Sequence, residues 1–339
     1  MITELTSNSD LKAARDLIER NELSFEAGFD AMVGIHENGE LIAVGARAGN
    51  ILKMLAVDPA YQGGSILGEV LTGLVSSGLA AGFDSLFVFT KPEYSTTFQA
   101  LNFTLLANQE KVALLEYGKG LRNWLESNRS LVRPGINGAV VVNCNPFTNG
   151  HRFLLETAAA QVDNLYAFVV KEDRSIFPFD VRYRLVKEGL RDLGNVLVLD
   201  TSRYIVSGET FPTYFLKKDD PVARIQMELD VTLFASQIAP FFGITRRFVG
   251  TEPNCKLTDS YNETMKRLLP VYGIEFVVVE RKQASTGVIS ASRVRELLAR
   301  NDLAQLAEYV PPSTLAYLTS DEAGPVRQQL RNGVEKAGV

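Results

Sequence analysis

The chain has 339 residues, of which 46% are hydrophobic and 22% charged, and a formal net charge of -5. This is the composition of a globular protein that buries a core, and it excludes a disordered or fibrous chain; the length exceeds one usual core, so two domains are expected. The acidic balance excludes broad electrostatic attraction to nucleic acid or to anionic lipid.

The first residues, MITELTSNSD, carry no basic-then-apolar leader. Residues 9–21 (SDLKAARDLIERN) read as an amphipathic helix that starts at Ser9 or Asp10 and gathers Leu11, Ala14, Leu17 and Ile18 on one face. In AMVGIHENGELIAVGARA, Asn38-Gly39 stands between two apolar runs, a strong hairpin signal, and His36 beside it reads as a solvated residue. ILKMLAVD follows as a strand, then the turn PAYQGGSILG and a helix to about residue 81, the strand SLFVFT, a short helix at FQALNF, and closing strands. The most apolar long window, 66–83, contains Glu69 with several glycines and serines, so no membrane span is expected. This part reads as α+β with much antiparallel sheet.

GKGLRNWLESNRSLVRPGIN loses periodicity and ends in Pro-Gly, which gives a linker over 119–136 between a first domain, 1–118, and a second, 137–320. The second shows the alternation of a Rossmann-like, doubly wound parallel sheet, with strands at 138–143, 165–170, 196–200, 245–250 and 274–280 and helices from 151, 180 and about 290. Residues 201–243 are too long for a plain connection and read as an insertion near the active face, with a helix at 221–239 that carries Asp230. Residues 321–339 read as a tail or end helix. Cys144 and Cys255 have no C-x-x-C spacing, which points to a reducing, cytoplasmic setting, and Cys144 reads as a buried inert thiol.

One stretch carries chemistry. VVVNCNPFTNGHRFLLETA runs from a β-branched strand through Asn-Pro and Gly into a helix that opens at His151. A strand, a tight turn and a helix N-terminus aim backbone N–H groups and an imidazole at one place, which suits the phosphates of a nucleotide, and the ends of parallel strands are where such sheets bind ligands. The segment resembles the T/H-x-G-H motif of nucleotidylyltransferases, with Thr148, Gly150 and His151 in the matching positions. ISASRVRELL at 289–298 resembles the partner I-S-S-T-x-x-R motif, with Ser290, Ser292 and Arg295 in place, Ala291 replacing a serine, and Arg293 where a lysine is frequent.

NCNPFTNGH, KEDRSIFPFDVR and FVGTEPNCKLTDSYN, joined to an acetyltransferase-like first domain, resemble the citrate lyase ligase family over nearly the whole chain. The resemblance implies an ATP-dependent ligase that activates acetate as acetyl-adenylate and acetylates the CoA-like thiol of the citrate lyase acyl carrier, releasing AMP and diphosphate. It implies His151 as donor to the transferring phosphate, Thr148 on phosphate oxygens, and Ser290, Ser292, Arg293 and Arg295 on the leaving diphosphate. Asn145, Pro146, Phe147 and Gly150 complete the nucleotide turn in this reading. Lys171, Arg174 and Arg182 compete to reach the triphosphate, with Arg174 and Arg182 favoured, while Gly250, Thr251 and Glu252 would line the ribose or base. Magnesium would bridge the phosphates without a dedicated carboxylate cage.

In the first domain VDPAYQGGSILGEVL resembles an acyl-CoA loop, with Gln62 aligned but Ser65 and Leu67 where small residues are expected, so the domain is expected to recognise the carrier's CoA-like arm rather than to transfer acetyl itself. Gln62 and Gly63 otherwise only shape a turn. Two other readings stay open: a nucleotidylyltransferase that moves AMP or CMP to a phosphate substrate, and a catalytically inactive binding protein.

Overall fold

The computed structural model describes residues 2–171, 175–204, 212–217, 220–251, 256–280, 283–284 and 287–337. The chain forms two compact units, Met1–Ser127 with Val206–Gln237, and Asn128–Ile205 with Ile238–Val339.

In the first unit β1 (Ile2–Glu4) leads into α1 (Asn8–Arg20). The helix is capped two or three residues earlier than expected: Ser7 and Asp10 form a reciprocal capping box, and Ala14, Leu17 and Ile18 are buried. β2 (Ala31–Glu37) and β3 (Glu40–Ala48) form the expected hairpin, with Asn38 and Gly39 at φ of 52° and 85°, the paired left-handed values that a tight turn needs. Then come β4 (Ile51–Val57), α2 (Ile66–Ala80), β5 (Ser85–Thr90), α3 (Ser95–Ala100), β6 (Phe103–Asn108) and β7 (Ala113–Gly118). The sheet runs β1-β2-β3-β4-β5-β7-β6, antiparallel except where β4 meets β5.

The expected linker contains a helix, α4 (Gly120–Ser127), so the units divide at residue 127 and not over 119–136. Its first turn is organised by Glu116, 2% exposed, whose two carboxylate oxygens accept from the Leu121 amide at 3.3 and 3.2 Å. An eight-residue helix that buries only Leu121 leaves too short an apolar stripe for periodicity to register.

The second unit is built on a five-stranded parallel sheet. β8 (Asn137–Val142), α5 (Asn149–Ala159), β9 (Asn164–Val169), α6 (Phe179–Gly189) and β10 (Val196–Asp200) come first. The chain then passes through the insertion, where α7 (Val222–Leu233) groups with the first unit rather than with the domain whose sequence it interrupts. There Gln109 bonds Thr232, Gln237 donates to the Leu106 carbonyl at 3.0 Å, and Asp230 is 6% exposed. The expected placement of this segment with the second domain is thereby corrected; the buried Ile225, Leu229 and Leu233 cover apolar surface beside β6.

Back in the second unit, α8 (Ala239–Phe242) precedes β11 (Ile244–Gly250), α9 (Lys256–Leu268) and β12 (Glu275–Val279), completing the strand order β10-β9-β8-β11-β12. α10 (Ala291–Ala299) is followed by α11 (Leu303–Tyr309), α12 (Pro312–Thr319) and α13 (Gly324–Ala337). The end is therefore helical, and Val326 and Leu330 enter the same core as Phe147, Leu155, Val294 and Leu297. Among the described residues no helix is long and apolar enough to cross a membrane.

Asn137 anchors this sheet. At 2% exposure its amide donates to the carbonyls of Arg133 and Phe242, both at 2.8 Å, and its oxygen accepts from Asn164 at 2.9 Å. Asn137→Ala strands the buried Phe242 carbonyl and removes two half-buried bonds, so urea denaturation is expected to show a loss of about 2–3 kcal/mol.

Candidate active site

β8 ends at the centre of the sheet, and its carbonyls must find partners as the chain turns back. Cys144 takes a left-handed φ of 53°, the Asn145-Pro146 bond is cis, and Thr148 begins α5. The turn is tied down by Arg182, the fourth residue of α6, which is 0% exposed. Its guanidinium donates to the Asn143 carbonyl and side-chain oxygen at 2.7 and 2.9 Å, to Val170 O at 2.8 Å, and to Phe177 O at 3.0 Å. Asn145 Oδ1 in turn accepts from the Phe177 amide at 3.1 Å. Arg182 was expected on the triphosphate; here it is a positioning residue that joins the ends of β8 and β9.

The first turn of α5 fixes the imidazole. Thr148 Oγ1 accepts from the His151 amide at 3.3 Å, and the Thr148 amide donates to His151 Nδ1 at 3.1 Å. A backbone N–H has no other option than to donate, so Nδ1 is the acceptor and the proton of neutral His151 sits on Nε2, a hydrogen-bond donor. Thr148 Oγ1 lies 2.9 Å from the same Nδ1 and the residue is 1% exposed, so Thr148 orients the ring rather than presenting its hydroxyl to a ligand. Phe147, 0% exposed, stacks on the imidazole with ring centres 6.1 Å apart. His151 is half-buried at a helix N-terminus, where the helix dipole favours an anion.

The second motif meets the first here. A Cβ on Gly150 would lie 3.2 Å from the Ile289 carbonyl, a tight contact, so glycine lets the start of α5 come this close to the residue before Ser290 without either backbone giving way. Ser290 caps α10, its Oγ accepting from the Arg293 amide at 3.1 Å. Arg295 donates to the Asn145 carbonyl at 2.6 Å and to Ser292 Oγ at 3.0 Å. Burial pulls the Arg295 guanidinium below its ordinary value while Glu296 opposes the shift, and an arginine so placed stays charged. Two helix N-termini, one arginine and one imidazole donor therefore converge at the ends of parallel strands, an arrangement that can bind phosphates and stabilise charge developing on them.

The remaining expected residues are distributed differently. Pro146 and Phe147 are buried and shape the turn from below. Arg293 pairs with Glu296 at 3.2 Å near the surface, and Ser292 is exposed. Gly250 ends β11, its carbonyl accepting from Asn262 at 3.3 Å, while Lys171 is exposed and its ammonium lies 5.6 Å from the centre of the Phe179 ring. Arg174, Glu252 and Cys255 lie outside the described residues. Cys144 is 1% exposed and burial pushes its thiol far up, so it stays protonated, as expected of an inert thiol. In the first unit Gln62 donates to the Val57 carbonyl at 3.1 Å and Gly63 takes a φ of 84°, both of which serve the turn itself. Sequence reading missed that Asn143 and Asn145 hold the 175–177 segment; their position in the turn between the end of β8 and the start of α5 was the available signal.

Residues 137–318 match the model of the citrate lyase ligase C-terminal domain. Over 321 residues the chain is 38% identical to citrate pro-3S-lyase ligase of Escherichia coli (strain K12), covering 92% of this chain and 91% of that one. The chain belongs to the citrate lyase ligase family. The ligase of Klebsiella pneumoniae is 39% identical over 318 residues, covering 91% and 93% of the two chains. Phosphopantetheine adenylyltransferase of Streptococcus gordonii is 26% identical over 179 residues, 51% of this chain and 88% of that one. Similarity to the ligases thus extends through both units, whereas the likeness to the adenylyltransferase covers about half the chain.

Two substitutions test the geometry. Gly150→Ala sets a methyl against a backbone carbonyl and should lower kcat/KM for the nucleotide about tenfold, or about 1.4 kcal/mol, with a smaller change in Tm, as steady-state kinetics and calorimetry would show. Arg182→Met leaves the carbonyls of Asn143, Val170 and Phe177 unpaired and should cost about 3–5 kcal/mol in a denaturation experiment.

Proposed function

We propose that this protein is an acid-thiol ligase that uses ATP and acetate to acetylate the thiol of the CoA-like prosthetic group on the citrate lyase acyl carrier. The observation that carries the reading is the meeting of the two motifs, where Gly150 packs on Ile289 and Arg295 reaches Asn145. Family membership supplies the reaction; the geometry supports the roles.

An acetate oxygen attacks the α-phosphorus of ATP, the bond to the β-phosphate breaks, and diphosphate leaves with the electron pair. Acetyl-adenylate then gives its acetyl group to the thiol sulfur, which loses its proton as the bond from carbonyl carbon to AMP oxygen breaks. The first step spreads charge over phosphate oxygens, so preorganised donors matter more than a covalent nucleophile. His151 Nε2–H donates to the transferring phosphate, held in that tautomer by the Thr148 amide. Arg295 and the amides at the start of α10 receive the leaving diphosphate.

Magnesium on the phosphates would keep mostly phosphate and water oxygens as ligands. No group of three or more His, Cys, Asp or Glu side chains suited to a metal occurs among the described residues. We place the reaction in the cytoplasm, where ATP is available.

The test is acetate-dependent exchange of pyrophosphate into ATP by the purified protein with magnesium, followed by acetylation of the carrier thiol. Exchange is expected with acetate and not without it; exchange that ignores acetate would point to a nucleotidylyltransferase with another acceptor. His151→Ala should lower the exchange rate by about 10²–10³-fold while leaving Tm nearly unchanged, because the ring contributes one partly exposed packing surface but the main donor to the phosphate.

A further inference from the structure

The bonds that Thr148 makes to Nδ1 fix one vertex of the His151 imidazole and leave the ring free to swing about that vertex. A flat surface against its face removes the swing, and Phe147 is that surface. Its ring lies 15° from coplanar with the imidazole at 6.1 Å between centres, within the range of an offset stack, and is 0% exposed. A phenyl ring has no polar handle, so only the shape of its seat determines where it lies.

That seat is Gly189, the last residue of α6. A Cβ there would lie 2.9 Å from Phe147 Cδ1 and closer still to Cε1, which a buried ring cannot accept without moving. Gly189 has no left-handed φ, so no turn demands a glycine, and a glycine within a helix weakens it. The close approach of Phe147 is what its missing side chain allows. The carbonyl of the same residue accepts from Arg152, the neighbour of His151 on α5. Asp192 grips that guanidinium with both oxygens, Nη1 to Oδ1 at 2.9 Å and Nη2 to Oδ2 at 2.6 Å, a pairing that fixes direction as well as distance. His151, Arg152, Gly189 and Phe147 thus close a circuit that returns to the imidazole. The Asp192 side chain is 61% exposed, so the ion pair adds little stability, and geometry is what it supplies. Without Asp192, Glu156 at 2.9 Å on the next turn of α5 would draw Arg152 back along its own helix.

We propose that Asp192, Arg152, Gly189 and Phe147 are positioning residues that set the plane of the His151 imidazole, so that the aim of its Nε2–H is controlled from the C-terminal end of α6. The inference rests on the proposed function for the role of His151. With the strap loosened, the end of α6 is no longer held to α5, Phe147 loses its seat, and the imidazole tilts about Nδ1. A donor that acts on charge as it develops loses its effect when it is misaimed, whereas binding of ATP, shared among Arg295 and two helix N-termini, is kept. The loss therefore falls on kcat and not on KM.

Asp192→Ala is the decisive variant, because a carboxylate does not itself hold phosphate and its removal opens no cavity. In acetate-dependent pyrophosphate exchange by the full-length protein it should lower kcat about fivefold, with KM for ATP moving less than about twofold and Tm less than about 2 °C. Asp192→Glu should recover most of the loss, and Gly189→Ala should lower kcat further, by about thirtyfold. The chain has two histidines, so histidine-labelled protein gives two sets of imidazole resonances in NMR, and exposed His36 serves as the internal control. The ring current of Phe147 marks the His151 set, which should shift in Asp192→Ala while that of His36 stays. Unmoved His151 resonances, or a kcat that does not fall, overturn the proposal. Should Gly189→Ala fail to fold, Asp192→Ala decides alone. Absence of exchange in the unsubstituted protein defeats the ligase reading, while the His151 resonances still decide the positioning.

Discussion

A buried guanidinium sets the geometry on which the second unit depends. Parallel strands end with carbonyls that no neighbour pairs, and in an open α/β sheet those ends are where the functional turn must form. Arg182 accepts the cost of leaving water because the oxygens of Asn143, Val170 and Phe177 surround it, bonds that a charged donor makes stronger than a neutral one would. The turn after β8 thereby becomes a rigid platform rather than a surface loop.

From that platform the chemistry follows by short steps. With the turn held, Thr148 caps α5 and its amide fixes the tautomer of His151. Gly150 allows the N-terminus of α10 to close on that of α5, and Arg295 locks the two by bonding Asn145. Each helix end carries roughly half a positive charge, so bringing two together beside an arginine is unfavourable unless the fold is rigid enough to hold them. The same juxtaposition is what makes the site attractive to a polyphosphate.

The first unit meets the same physical problem with other residues. Its unpaired backbone groups are also satisfied by single side chains: Glu116 for the start of α4, Tyr214 for the Phe89 carbonyl on β5. Sheets and helices account for most of the backbone, and isolated polar side chains satisfy what the regular elements leave over. Glu116 lies close to its partner in sequence, but Tyr214 and Phe89 are 125 positions apart.

The sequence by itself determined most of the elements and the two motifs, though not α4. Alternation marked the hairpin at Asn38-Gly39, β-branched runs marked the parallel strands, and the spacing of Thr148, Gly150 and His151 marked the turn, because each of these is a local pattern with a local cause. Similarity of the motifs also identified the family before any coordinate. Tertiary structure alone decided that Arg182 is buried beneath the site instead of lining it, that Thr148 serves His151, and that α7 groups with the first unit across a gap in sequence. An arginine after a strand reads alike whether it faces phosphate or three carbonyls, since burial is a property of what packs around a residue and not of the residue. Long-range partners such as Glu26 with Thr213, 187 positions apart, leave no periodicity for a local reading to find.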